Sequence, residues 1–169
     1  GTHMGGAVPG PGKVENGIQL FGGSDYVSAA PTALLEVPAA SPSDGTGNIS
    51  IDAWIRIDDA TSMFYSPIVD KRSAGGGPGY SFFIMNGRLP MQLRDDLGGV
   101  ILVQSSQAVP SGVFAHVAVV VDRTSTYNVR FFLDGVQDID PTVMTVLGSL
   151  TDPDAEIWIG GTRYQLTPN

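Results

Sequence analysis

The chain contains no cysteine among its 169 residues. A disulfide framework, a thiolate zinc site and a cysteine nucleophile are therefore all excluded. Histidine is nearly as scarce, because the chain has two and His3 lies in the opening segment 1–4, which we interpret as the remnant of an expression tag. His116 is then the single natural histidine, which argues against histidine-rich metal sites and paired-histidine mechanisms.

Positive charge is also rare in this chain. Lysine and arginine together number 9 against 17 aspartates and glutamates, which gives a formal net charge of −8. This balance argues against nucleic acid as a partner, because no basic patch is available to neutralise phosphates. Since no apolar run approaches the ~20 residues of a membrane-spanning helix, we also expect no membrane insertion.

Glycine and proline are abundant, at 22 and 12 residues, and they separate short apolar runs. We interpret the Gly/Pro-rich segment 5–13 as a linker and residues 14–169 as a single domain. No long stretch has a helical period, so the pattern predicts an all-β antiparallel sandwich or barrel. The predicted strands are Ile18–Phe21, Tyr26–Ala29, Asn48–Ile57, Ser66–Lys71, Tyr80–Asn86, Arg88–Arg94, Val100–Gln104, Ala115–Asp122, Asn128–Leu133 and Ile157–Gly160.

The predicted strand over residues 48–57 alternates between two kinds of side chain. Its odd-numbered positions from Ile49 to Ile57 are apolar and predict a face on the core, whereas Ser50, Asp52 and Arg56 form a mixed face that also contains Trp54.

The run from Val117 to Val121 is apolar at every position, which predicts a central strand covered on both sides. His116 precedes this run, and we expect it to be buried, packed and hydrogen-bonded. Asn86-Gly87 and Asp134-Gly135 predict two tight hairpins, because both residues of each pair tolerate the positive φ of a type I′ turn. The segment 31–47 predicts a long surface loop with at most one short helical turn.

Five blocks of sequence, taken in order, resemble bacterial laminin-G-like domains of the concanavalin-A-like jelly-roll group. The blocks are GIQLFGGSDYV at 17–27, ISIDAWI at 49–55, FAHVAV at 114–119, VRFFLDGV at 129–136 and IWIGG at 157–161. The resemblance implies an antiparallel β-sandwich of the jelly-roll type. It also implies a module of a bacterial protein, extracellular or at the cell surface.

The resemblance also implies one more strand after the last block, lying next to the first strand of the domain. The chain stops at Asn169, before such a strand. Its absence implies a gap in the core and unpaired backbone groups along Ile18–Phe21. We expect the position to be filled by Gly5–Val14 folding back, by a partner chain or homodimer partner, or by a segment beyond this chain.

Acidic loops suggest a cation site at the rim of the sandwich. The resemblance to animal laminin-G domains implies a calcium ion held between Asp95 or Asp96 and Asp152 or Asp154, with backbone carbonyls completing the shell. Calcium accepts several oxygen ligands in irregular geometry, which suits such loops. The alternative is that these aspartates accept hydrogen bonds from backbone amides in turns.

Aromatic residues suggest a ligand site. Trp54 and Tyr80, together with Tyr65 and Tyr127, would offer rings on which a sugar can stack, and Arg56 and Arg94 would bond its hydroxyl groups. The alternative is that Trp54 is ordinary half-buried packing in a sheet. We expect loops 70–79, 94–99 and 149–156 to carry further ligand contacts.

No arrangement of residues indicates catalysis. Laminarinase-type enzymes with this fold carry Glu-x-Asp-x-x-Glu on one strand, and no such string occurs in this chain. We therefore expect no catalytic residues and predict a non-catalytic extracellular recognition module that binds a glycan, with calcium as its cofactor. The alternatives are a protein–protein adhesion module and a structural spacer of a bacterial surface protein.

Overall fold

The computed structural model describes residues 1–22, 24–41, 46–61, 65–73, 75–123, 128–138, 142–143 and 148–162. Within them the chain is almost entirely β-structure, apart from one 3₁₀ turn at Ala33–Leu35. The strands are β1 (Thr2–Met4), β2 (Val8–Pro11), β3 (Asn16–Gln19), β4 (Tyr26–Ala29), β5 (Ile49–Arg56), β6 (Ser66–Arg72), β7 (Gly79–Ile84), β8 (Pro90–Arg94), β9 (Val100–Gln104), β10 (Phe114–Asp122), β11 (Asn128–Leu133), β12 (Val136–Gln137), β13 (Thr142–Val143) and β14 (Ile157–Ile159). None of the described helices is long and apolar enough to cross a membrane.

The strands of the described residues form two large sheets and one separate hairpin. One sheet has seven strands in the order β1-β4-β14-β6-β7-β8-β9, and the other has five, β12-β11-β10-β5 with β13 also pairing with β11. The hairpin is β2–β3. All pairings are antiparallel. The two large sheets enclose one apolar core, so the predicted all-β antiparallel sandwich is confirmed.

Side-chain alternation explains how the strands meet in this core. Burial alternates along β5, and its odd-numbered residues pack toward the core as predicted. Strand β10 lies between β5 and β11, and Val117, Val119 and Val121 are buried, so its central position in the sheet is confirmed. The expected cover on both sides is wrong, because Ala118 and Val120 on the outer face are only partly buried. Burying each such valine contributes about 1.5–3 kcal/mol to the hydrophobic driving force.

The two predicted tight turns are present. Asn86 and Gly87 have φ values of 52° and 73°, and Asp134 and Gly135 have values of 50° and 80°. Positive φ at both central residues is the requirement of a type I′ turn, and asparagine, aspartate and glycine meet it at low cost. The second turn connects β11 to β12 and so fixes the far edge of the five-stranded sheet.

The N-terminal segment differs from the predicted linker. Val8–Pro11 forms a strand that pairs with Asn16–Gln19, so the expectation that glycine and proline prevent a ladder over 5–13 is wrong for these residues. A two-stranded ribbon leaves an edge open, where proline is tolerated. Residues 8–11 thus fold back onto residues 16–19, but the hairpin is a separate two-stranded sheet, and how the position of the expected last strand is filled stays a prediction. The division into a tag at 1–4 and one domain at 14–169 stays a prediction, although Thr2–Met4 pairs with β4.

Candidate functional site

The outer face of the five-stranded sheet carries a row of solvent-exposed side chains from β5. Asp52, Trp54 and Arg56 follow one another at every second position, and Trp54 is 45 % exposed. They point outward because the intervening isoleucines and alanine pack on the core. An acid, an aromatic ring and a base therefore share one open face.

Trp54 is held in place from two sides without being covered. Its ring centroid lies 5.2 Å from that of His116, at an interplanar angle of 55°. The Nζ atom of Lys13, from the turn between β2 and β3, lies 5.5 Å from the centroid. An ammonium group at this distance is attracted to the ring face. The remaining exposed ring surface is available to an apolar partner.

His116 lies on this outer face and not in the core. The expectation that His116 is buried is wrong, because the valines that alternate with it along β10 take the inner positions and leave it half-buried outside. Its hydrogen bonding is as expected, since Nε2 lies 3.2 Å from Oδ2 of Asp52. Its backbone N–H donates to Oδ1 of Asp134 at 2.8 Å.

Two of the predicted ligand residues lie elsewhere. Tyr80 is 3 % exposed and belongs to the core, so its grouping with Trp54 in one aromatic platform is corrected. Its hydroxyl donates to the carbonyl of Leu35, and burial, helped by the nearby Glu36 carboxylate, raises the pKa of Tyr80 to about 12. Arg94, on β8, pairs with residues of β7 and β9 in the seven-stranded sheet.

The structure therefore brings Trp54 and Arg56 together and separates both from Tyr80 and Arg94. Tyr127 lies outside the described residues. A ligand contact by any of these residues stays a prediction.

The opposite outer face contains a polar cluster that the sequence interpretation missed. Asp70 and Arg72, on β6, are 2 % and 3 % exposed and form a salt bridge. The hydroxyl of Tyr65 donates to Oδ2 of Asp70 at 2.9 Å and accepts from Nη2 of Arg72 at 2.6 Å. Thr162 Oγ1 donates to Asp70 Oδ2 at 2.7 Å, and Ser81 contacts both Tyr65 and Asp70.

The charged pair of this cluster is shielded from solvent, and Nη1 of Arg72 also donates to Oε1 of Gln92. Burial, with a further contribution from the Asp70 carboxylate, raises the pKa of Tyr65 well above its usual value, although Arg72 opposes the shift. Buried polar groups that satisfy one another stabilise a single arrangement. The signal in the sequence was the charged run 70–72 at the end of the strand Ser66–Arg72, and the burial of all three residues shows that the sheet is covered there.

The first pair of rim aspartates is engaged by backbone amides. Buried Asp95 accepts hydrogen bonds at Oδ1 from Leu97 N at 3.1 Å and Gly99 N at 2.5 Å, and at Oδ2 from Gly148 N at 3.0 Å. Oδ1 of Asp96 accepts from Ser149 N at 2.8 Å. Asp95 thus uses one oxygen within its own turn and the other to hold the loop at Gly148, which is the alternative given for these aspartates.

The second pair lies in the loop before β14. Oδ1 of Asp152 accepts from the backbone N–H of Asp154 at 3.1 Å, and the Asp152 carbonyl accepts from Lys71 Nζ at 2.9 Å. Lys71 also forms a salt bridge with Glu36 at 2.6 Å. Nowhere in the described ranges do three or more histidine, aspartate or glutamate side chains form a group able to hold a metal ion. Calcium binding stays a prediction.

Comparisons with known proteins agree with this architecture. A family model described as the concanavalin A-like lectin/glucanases superfamily matches residues 21–168. Among solved structures, the binding domain of Paraclostridial Mosquitocidal Protein 1 is 15 % identical, over 95 % of this chain and 39 % of that one, with a TM-score of 0.70. No curated protein sequence matches the chain.

Two further similar structures are binding domains of botulinum neurotoxins. That of serotype G is 13 % identical over 91 % of this chain and 42 % of its own, with a TM-score of 0.63. The receptor binding domain of the C/D mosaic serotype is 14 % identical over 94 % and 41 %, with a TM-score of 0.60. The chain spans about two fifths of the length of these structures, and such identities show the fold alone. Since the family model matches most of its length, the chain belongs to the concanavalin A-like lectin/glucanases superfamily, as its laminin-G-like blocks predicted.

Proposed function

We propose that this chain is a non-catalytic recognition module that binds a carbohydrate on the outer face of its five-stranded sheet. The observation that carries the proposal is the exposed ring of Trp54 between the carboxylate of Asp52 and the guanidinium of Arg56. A ring of this kind packs against the apolar face of a sugar, and the neighbouring charged groups bond its hydroxyls. His116, beside the ring, adds an imidazole to the same surface.

The similar structures support a binding role. They include the binding domain of a mosquitocidal protein and the receptor binding domain of a neurotoxin. The choice of carbohydrate as ligand comes from the residues of this chain, because those structures share only its fold.

The absence of catalysis is part of the proposal, although the superfamily description includes glucanases. Glycoside cleavage needs two carboxyl groups about 5–10 Å apart that are available to the substrate. Asp70 is held by Arg72 and Tyr65, and Asp95 is held by backbone amides. We expect no release of reducing ends when β-glucans are incubated with the protein.

Location outside the cell, in a bacterial surface or secreted protein, belongs to the same proposal and rests on the resemblance of the five sequence blocks. Calcium dependence is the part that the geometry supports least, because both oxygens of Asp95 already accept hydrogen bonds from backbone N–H groups. A spacer without a ligand is the simplest competing function, and it predicts no binding at all.

A glycan array followed by titration of the best ligand tests the proposal. We expect Trp54→Ala to weaken that ligand by about tenfold or more, since tenfold corresponds to about 1.4 kcal/mol. Trp158→Ala is the matched control, because Trp158 is the other tryptophan and lies on the seven-stranded sheet. Equal losses in both variants, or no ligand on the array, would contradict the proposal. Repeating the titration with EDTA and with calcium checks the cofactor separately.

A further inference from the structure

The outer face of the five-stranded sheet carries a second aromatic ring besides Trp54. Phe131 of β11 is buried, so its neighbours along the strand point outward, and Phe132 is only partly buried there. Phe132 pairs with Ala118 of β10, which in turn pairs with Asp52 of β5. Phe132 therefore stands on the same face as Trp54, two strands away from it.

The register of the strands fixes the separation of the two rings. Trp54 pairs with His116 on β10, whereas Phe132 pairs with Ala118, two residues farther along the same strand. Neighbouring strands lie ~4.8 Å apart and residues rise by ~3.4 Å along a strand, so the backbone positions of the two rings are about 12 Å apart. A single sugar ring is too small to stack on both side chains, whereas several consecutive sugar units reach from one to the other.

The surface between the two rings is low and apolar. Ala118 and Val120 of β10 lie there, both partly buried, and their short side chains project less than the rings beside them. Ser50 of β5 continues this low surface opposite Val120. Exposed apolar surface with polar groups at its rim is typical of a binding surface. The floor therefore leaves room for a ligand that runs from one ring to the other.

Each ring has a guanidinium group two residues away on its own strand. Arg56 follows Trp54 on β5, and Arg130 precedes Phe132 on β11. Strands β5 and β11 run parallel to each other, because each is antiparallel to β10. The order across the face is therefore Arg56, Trp54, Phe132 and Arg130, and we call this row the diagonal track. Nε of Arg130 has no hydrogen-bond partner among the described residues, so both ends of the track offer N–H donors to a ligand.

We propose that the diagonal track binds an extended, linear polysaccharide along at least three consecutive sugar units, with one unit on Trp54 and another on Phe132. This inference rests on the carbohydrate function proposed above and adds the form of the ligand, which is a chain of several units and not a single sugar. Each ring packs on the apolar face of a different unit, and the guanidinium groups bond hydroxyl or carboxylate groups beyond the rings. Affinity should therefore rise with chain length until both rings are covered.

The dependence of affinity on chain length tests the diagonal track. Cello-oligosaccharides provide a neutral series and oligogalacturonates an acidic one, each from two to six units, and calorimetric titration gives the Kd of every member. In a series that binds, six units should bind at least tenfold tighter than two, which exceeds the gain from the additional registers of a longer chain on one ring. Equal affinity of the two lengths would overturn the track and leave a single-sugar site on Trp54, so the carbohydrate function would stand. Absence of binding in both series would also overturn the track, whereas the glycan array decides the carbohydrate function separately.

Removal of the second ring distinguishes the diagonal track from a site on Trp54 alone. We expect Phe132→Ala to weaken the six-unit ligand about tenfold and the two-unit ligand by less than about twofold, because the short ligand stacks on Trp54. Trp54→Ala should weaken both ligands. Phe21→Ala is the matched control and should change neither, since Phe21 is 73 % exposed and follows β3, outside the five-stranded sheet. Equal losses for the two lengths in Phe132→Ala, or no loss in either, would contradict the track.

A longer side chain in the floor provides a second test that leaves both rings in place. We expect Ala118→Glu to weaken the six-unit ligand at least tenfold, because the new side chain would occupy the space between the rings. Gln104→Glu is the control, since it adds the same charge at an exposed position of β9 in the seven-stranded sheet. Thermal melting checks that each variant keeps the stability of the parent chain, and Ala118→Gln takes the place of Ala118→Glu if the charged variant does not. Unchanged binding after the floor is filled would overturn the diagonal track.

Discussion

The two outer faces of this sandwich use similar residues in opposite ways. On the five-stranded sheet, Asp52, Trp54 and Arg56 project into solvent and contact few other groups. On the seven-stranded sheet, Asp70 and Arg72 are buried and bonded to each other and to neighbouring hydroxyls. The polar groups of the first arrangement are free to bond a ligand, whereas those of the second bond one another within the fold.

This difference shows why residue type alone does not identify a site. A carboxylate and a guanidinium on the same face of one strand occur on both β5 and β6. Only their surroundings decide their role, since an exposed pair contributes little to stability and a buried pair depends strongly on both partners.

The largest expected effect comes from breaking the buried pair. We expect Arg72→Ala to lower the free energy of unfolding by about 3–5 kcal/mol, because Asp70 would remain buried without its counter-charge. Arg56→Ala is the matched control on the exposed face, with an expected change within about 0.5 kcal/mol. Urea unfolding of the three proteins provides the measurement.

A double variant sharpens the same comparison. Replacing both partners, with Asp70→Leu and Arg72→Met together, is expected to recover much of the loss, since apolar residues of similar size need no counter-charge. If Arg72→Ala proved as mild as Arg56→Ala, the seven-stranded face would be open to solvent, and it would become a competing candidate for the ligand site.

The fold followed from the sequence because alternation and turn chemistry are local signals. The pattern in Ile49–Arg56 sets which side of β5 meets the core, and Asn86-Gly87 sets a hairpin through its positive φ values. The N-terminal hairpin did not follow, because Val8–Pro11 has no apolar periodicity and its pairing depends on β3.

The candidate site followed only in part, because it depends on which strands become neighbours. Trp54 and Arg56 share a face through the period of one strand, which the sequence displays. His116 lies beside Trp54 because the register between β10 and β5 pairs the two residues. Tyr80 lies away from them because its side chain on β7 points into the core. Neither the sheet order nor the covering of a face is written in the spacing of residues along a single strand.

Unfolding at alkaline pH tests whether the hydroxyl groups of Tyr65, on the seven-stranded sheet, and Tyr80, in the core, are shielded from solvent. The folded pKa of Tyr80 is about 12 and that of Tyr65 is also raised, against 10.0 in the unfolded chain. Because a raised pKa favours the neutral hydroxyl in the fold, the stability involved is complete below pH 10 and is lost as the pH rises toward 12. A folded pKa that lies one pH unit above the unfolded pKa corresponds to about 1.4 kcal/mol of this stability.

Urea unfolding between pH 9 and pH 11.5 measures this loss. Tyr65→Phe and Tyr80→Phe should each make the decline above pH 10 less steep, whatever their effect at neutral pH. An unchanged slope in Tyr65→Phe would mean that its hydroxyl ionises as easily in the folded protein as in the unfolded chain. The cluster of Tyr65 with Asp70 and Arg72 would then be accessible to solvent.

The smallest expected changes in the free energy of unfolding come from substituting the two tryptophans, of which one lies on each sheet. Trp54 is 45 % exposed, whereas Trp158 stacks on Tyr26 with ring centroids 3.9 Å apart and donates from Nε1 to Oε2 of Glu156 at 2.9 Å. We expect Trp54→Phe to change the free energy of unfolding by less than about 0.5 kcal/mol. Trp158→Phe should cost about 1 kcal/mol, because it removes a hydrogen bond and part of the stacking contact.

The same two variants report the exposure of each ring directly, since each leaves a single tryptophan to fluoresce. Iodide should quench the Trp158→Phe protein, in which only Trp54 emits, more strongly than the Trp54→Phe protein. A saturating carbohydrate ligand should protect Trp54 from iodide and leave Trp158 unchanged. If the ligand protected Trp158 instead, the binding surface would lie on the seven-stranded sheet, and the roles assigned to the two faces would be reversed.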